Sequence, residues 1–74
     1  MKKAIAQEAL RIARAIAKES KSSVDFHNAF FGVSGRFGEL FPDRADREAF
    51  AKTAEYRKIL AMRSALETFD NVAS

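Results

Sequence analysis

An all-α fold, a small bundle of about four helices, is what this sequence predicts, and three observations predict it. Two long segments repeat their apolar residues at helical spacing. No segment alternates apolar and polar residues with period two, and the β-branched residues are few and scattered, so a sheet has nothing to form from. Gly32, Gly35 and Pro42 fall between the periodic segments and punctuate them.

The first helix is expected over residues 2–20, where Ile5, Ala9, Ile12 and Ile16 form an apolar stripe widened on one side by Ala6, Ala13 and Ala17. Alanine and straight-chain charged residues make up most of the remainder, so intrinsic propensity agrees with the pattern. Ser20 to Ser23 ends it. Ser22 and Asp25 have the spacing of a capping box, which opens a second helix over 24–31. Gly32 is a natural stop, because glycine takes the left-handed conformation that commonly closes a helix. Residues 36–41 leave room for a further short helical turn before Pro42. Asp43 then caps a helix over 44–52 that carries Ala45, Ala49 and Phe50 inward, and Thr53 caps the last helix, over 54–69. Along that helix Tyr56, Ile59, Leu60, Met62, Leu66 and Phe69 share one broad face. The two long helices are expected to sandwich a middle rich in phenylalanine, with Phe26, Phe30, Phe31, Phe37 and Phe41 inside sixteen residues.

With 74 residues the chain is read as one domain, 1–74. A chain of this size buries only about 60% of the surface it exposes when unfolded, so its stability is expected to be marginal. No cysteine is present, which excludes disulfides and thiolate metal sites and fits a reducing cytoplasm. A single histidine makes a zinc cluster improbable. No cofactor is expected. Apolar runs fall well short of the roughly 20 residues that cross a bilayer, so the domain is read as soluble. Residues 1–23 superficially resemble an organelle transit peptide, but Glu8 and Glu19 argue against that reading.

Chemistry-bearing residues are scarce. His27 is the one side chain whose ordinary pKa suits acid–base work near neutrality, and neither a nucleophile with a base nor a concave pocket around it can be assembled from the sequence. Asp43, Asp46 and Glu48 sit at a helix start, where the dipole favours negative charge, and Glu48 stands one turn from both Arg44 and Lys52. These observations predict that the protein is not an enzyme and takes no small-molecule substrate.

Gly32-Val33-Ser34-Gly35 looks like the G-x-x-G loop with which KH-type domains clamp a nucleic-acid backbone. The likeness ends there: no three-stranded sheet accompanies it, neither middle residue is basic, and Gly38 stands where such a helix would offer an apolar residue. A helix-turn-helix over 44–68 would present Glu55, Arg57, Lys58 and Glu67, a mixed set poorly suited to reading bases, across a turn without glycine. The runs from Phe37 to Pro42 and from Lys52 to Tyr56 have the look of a bacterial small-protein signature, but they specify no family.

Charge is distributed unevenly. The formal net charge is +3, yet residues 1–22 alone carry six lysines and arginines against Glu8 and Glu19, and residues 43–74 are balanced. On a helical wheel Lys3, Arg11, Arg14, Lys18 and Lys21 fall within about 80°. Like charges this close cost a few tenths of a kcal/mol per pair, so the stripe points to an acidic partner or phosphate, against the simpler reading of a solubilising face. Five phenylalanines in so short a stretch also suggest an apolar surface, formed by Phe26, Phe30, Phe31, Phe37 and Phe41, for another protein or a second copy of the chain. The sequence therefore predicts a non-catalytic protein-interaction or regulatory module, with a homodimer as one form of it. A nucleic-acid-binding protein that uses the basic face of the first helix is the second reading.

Overall fold

A computed structural model describes residues 3–73, and side chains as far as Glu67. Its five helices are α1 (Lys3–Glu19), α2 (Ser23–Phe30), α3 (Arg36–Leu40), α4 (Arg44–Phe50) and α5 (Ala54–Ala73), and the described residues include no strand. They form the small helical bundle expected from the sequence. No helix is long and apolar enough to cross a membrane.

The long helices α1 and α5 pack directly on each other, and α2 packs against both. Small side chains make this approach possible: Ala6, Ala9 and Ala13 are buried on the inner face of α1 beside Leu10 and Ile12. The inner face is rotated from the predicted one. Leu10 is buried, whereas Ile5 is exposed near the start of the helix. The expected sandwich is likewise modified, because α1 packs directly on α5.

Phenylalanines fill the remaining interior. Phe26, Phe30, Phe41, Phe50 and Ile59 are completely buried. Phe41 and Phe50 stack with centroids 4.5 Å apart, Phe30 and Phe31 meet edge-on at 4.8 Å, and Phe37 touches Phe41 at 5.3 Å. Tyr56 closes the chain of rings against Phe50 at 5.7 Å, so α2, α3, α4 and α5 all contribute to one aromatic cluster. Each well-placed pair adds about 0.5–1.5 kcal/mol beyond the area it buries. On α5, Ile59 is buried and Tyr56, Leu60, Met62 and Leu66 are half-buried, as their shared face requires. Phe69, predicted on that face, lies outside the described side chains.

Local chemistry sets the helix ends. Ser22 accepts from the Asp25 N–H at 3.2 Å, the predicted half of a capping box, while the Asp25 carboxylate reaches back past the cap residue to the Lys21 N–H at 3.2 Å. Thr53 Oγ1 accepts from the Tyr56 N–H at 3.2 Å and donates to the Phe50 carbonyl at 2.6 Å, so one hydroxyl ties the end of α4 to the start of α5. Asp43 has the extended backbone of an N-cap but makes no side-chain capping bond. Nearby, Arg47 donates from Nε to the Phe41 carbonyl at 2.7 Å and from Nη2 to the Pro42 carbonyl at 2.8 Å, and so satisfies the backbone where α3 ends. Ala45 and Ala49, predicted to face inward, are exposed, because the seven-residue α4 is anchored through Phe50.

Gly32 does not take the predicted left-handed conformation, and none of the glycines has a positive φ. Phe31 caps α2 with right-handed backbone instead. Glycine is required here for closeness. A Cβ at Gly32 would lie 2.4 Å from the Asn28 carbonyl oxygen, and one at Gly35 would lie 2.4 Å from that of Phe30. Gly38, inside α3, has open space around the same position. Two stability measurements check this packing. In chemical denaturation Gly35→Ala should lose about 1–3 kcal/mol, whereas Gly38→Ala should gain about 0.5–1 kcal/mol from helix propensity. Phe41→Ala should lose about 3–5 kcal/mol, because it empties a completely buried ring position between Phe37 and Phe50.

Candidate functional site

The two residue sets singled out from the sequence meet different fates. Of the aromatic set, Phe26, Phe30 and Phe41 are completely buried, so a partner could not touch them without opening the core. Phe31 and Phe37 are half-buried. Phe31 is further flanked by the His27 ring at 5.9 Å and by the Arg63 guanidinium, 5.8 Å from its centroid, a cation–π geometry in which Arg63 Nε is buried without a hydrogen-bond partner. Among the described residues the large apolar side chains that remain exposed, Ile5, Val24 and Val33, lie on α1, on α2 and in the α2–α3 turn. They are scattered.

The basic set is the one that reaches the surface together. Lys3, Arg11, Arg14 and Lys18 are all exposed on α1, on the side away from Ala9, Ile12 and Ala13. Lys21 is exposed too, but α1 stops at Glu19 and Lys21 follows the helix instead of continuing its stripe. The stop is built from Ser20, whose Oγ donates to the Ile16 carbonyl at 2.7 Å, and from the Lys21 N–H, which serves the α2 cap. Along the outer face runs an open depression of about 590 Å³ whose walls include Gln7, Leu10, Arg11, Arg14, Ala15, Lys18 and Glu19.

Electrostatics divide this face into two parts. Arg11 forks onto Glu8, with Nε at 3.1 Å from one carboxylate oxygen and Nη2 bonded to the other. These hydrogen bonds hold the Glu8 carboxyl below its ordinary value of 4.5, with the charges of Arg11 and of Arg36 on α3 acting in the same direction. The same pair raises the Arg11 pKa. Among the described residues no carboxylate forms an ion pair with Arg14 or Lys18, and both side chains are exposed. Arg36, paired with Glu39 at 3.1 Å, is a neighbour of this face that the linear pattern does not reveal, since only the packing of α3 on α1 brings it near Glu8.

His27 has more around it than the sequence suggests. An open crevice of about 230 Å³ is lined by Ser23, Val24, His27, Arg63 and Glu67, where no concavity was expected. His27 is nevertheless exposed, and its ring packs toward Phe31. Nothing about so open a crevice excludes water from an acid–base reaction. No group of three or more metal-binding side chains occurs among the described residues. Comparison with known proteins found no matching family model, no matching curated protein and no matching solved structure.

The Glu8 arrangement has a pH signature. A carboxyl whose folded pKa is depressed contributes stability that is present above the unfolded value and lost as pH falls through the folded one. NMR titration should therefore place Glu8 below 4.5, and Arg11→Gln should return it toward that ordinary value. A Glu8 titration that Arg11→Gln leaves unmoved would contradict the pairing.

Proposed function

We propose that this chain is a non-catalytic interaction module that takes an acidic segment of a protein partner on the outer face of α1. One observation carries the reading: Lys3, Arg11, Arg14 and Lys18 stand exposed on a single helix face, while three of the five phenylalanines that could have formed an apolar docking surface are completely buried. Retaining like charges along one helix costs stability, and an acidic partner recovers it. A second copy offering the same face would be repelled. The exposed His27 in its open crevice supports the non-catalytic part of the reading, and the cysteine-free sequence is compatible with a reducing compartment such as the cytoplasm.

Nucleic acid is the second reading. Arg11, Arg14 and Lys18 follow one another at helical rises of roughly 4.5 and 6 Å, a spacing that suits phosphates as well as carboxylates. Against it, no aromatic side chain interleaves the cations for base stacking.

Fluorescence anisotropy with a labelled glutamate-rich peptide and with a charge-matched duplex tests both. The peptide should bind and should lose about tenfold in affinity to the double reversal Arg14→Glu/Lys18→Glu, while the same charge reversal at Arg57 and Lys58 on α5 costs far less. If both double variants lose equally, net charge alone is responsible and the site is wrongly placed. A duplex that outcompetes the peptide at about 150 mM salt would give first place to the nucleic-acid reading.

A further inference from the structure

Arg11 and Arg14 differ in one respect that bears on how the α1 face is used. Both are exposed cations on the same helix, but the Arg11 guanidinium already holds a carboxylate in fork geometry, with two of its nitrogens on the two oxygens of Glu8. This is the arrangement in which a guanidinium recognises a carboxylate from another chain. We infer that Glu8 is an internal competitor for the partner's carboxylate: it occupies Arg11 in the free protein, is displaced when an acidic segment docks, and so limits affinity for acidic surfaces in general. The inference rests on the reading of α1 as the binding face and adds to it the group that Arg11 takes and the residue that masks it.

Exposure makes the exchange feasible. The side chains of Arg11 and Glu8 are 68% and 46% exposed, so an incoming carboxylate reaches the guanidinium without disturbing the core. An exposed pair one turn apart on a helix is screened by water and salt, and so is weak enough to be displaced. No covalent step is involved. Arg14 and Lys18, which no described carboxylate pairs with, attract the partner first, and Arg11 is engaged when Glu8 gives way.

The test compares single neutral replacements in the intact chain, using a glutamate-rich peptide of about 16 residues, near the length of α1. Glu8→Gln should bind it two- to fourfold more tightly than wild type, a range set by the strength of an exposed pair. Glu48→Gln is the control, since Glu48 likewise pairs with an arginine, Arg44 at 3.1 Å, but stands on α4, and its removal changes net charge by the same amount. It should alter affinity by less than about 1.5-fold. In an Arg11→Gln background the gain from Glu8→Gln should vanish. Equal gains at Glu8 and Glu48, or a gain that survives without Arg11, would overturn the inference. If peptide binding responds to Arg14→Glu/Lys18→Glu but not to Glu8→Gln, the binding face stands and the competitor role falls. If the peptide fails to bind at all, both fall together.

Discussion

Burial of the phenylalanine rings is the interaction on which the rest of this structure depends. Phe26 and Phe30 on α2, Phe41 just after α3 and Phe50 on α4 are completely enclosed, with Phe31, Phe37 and Tyr56 packed around them. So short a chain, without disulfides, must gain its core from few residues, and large aromatic side chains supply the most apolar area per position. The helices α2, α3 and α4 are eight, five and seven residues long, below the length at which an isolated helix is stable in water. Their rings hold them in place. Gly32 and Gly35 follow from the same constraint, since the chain must turn tightly between Phe30 and Phe37 for both rings to enter one cluster.

A second consequence concerns the surface. Because the rings are spent on the core, and because the alanines of α1 let it lie directly against α5, the outer half of α1 is left free of structural duty. Its cations can then be arranged for another purpose at little cost to the fold. On the proposed reading, stability and recognition occupy opposite faces of one helix, and the Arg11–Glu8 pair is where the proposed binding face engages its own chain.

Much of this was legible in the sequence, and the failures have physical causes. Helical period exposed α1, α5 and the cation stripe, and the caps at Ser22 and Thr53 were readable because a hydroxyl at a helix start has one dominant partner, an early backbone N–H. A helical wheel places Lys21 in the stripe only by continuing a helix that the chain ends at Glu19. The pattern centres the inner face of α1 on its isoleucines, whereas the side chains buried there are Ala6, Ala9, Leu10, Ile12 and Ala13. Apportioning the phenylalanines between core and surface was beyond a linear reading, as burial of Phe41 depends on Phe50 reaching it from another helix. The closeness of Arg36 to Glu8 is likewise a product of tertiary packing, with no signal in spacing.

The central claim is that the protein meets its partner through α1 while the aromatic cluster stays closed. Chemical-shift mapping of the isotope-labelled protein, with backbone amide and aromatic resonances followed during addition of an acidic peptide, addresses both halves at once. The account predicts shifts confined to the outer face of α1, around Gln7, Arg11, Arg14 and Lys18, with the ring resonances of Phe26, Phe30 and Phe41 unmoved. Shifts centred on those rings, or on Val24 and Phe31 with α1 silent, would contradict it and return the search to an apolar surface.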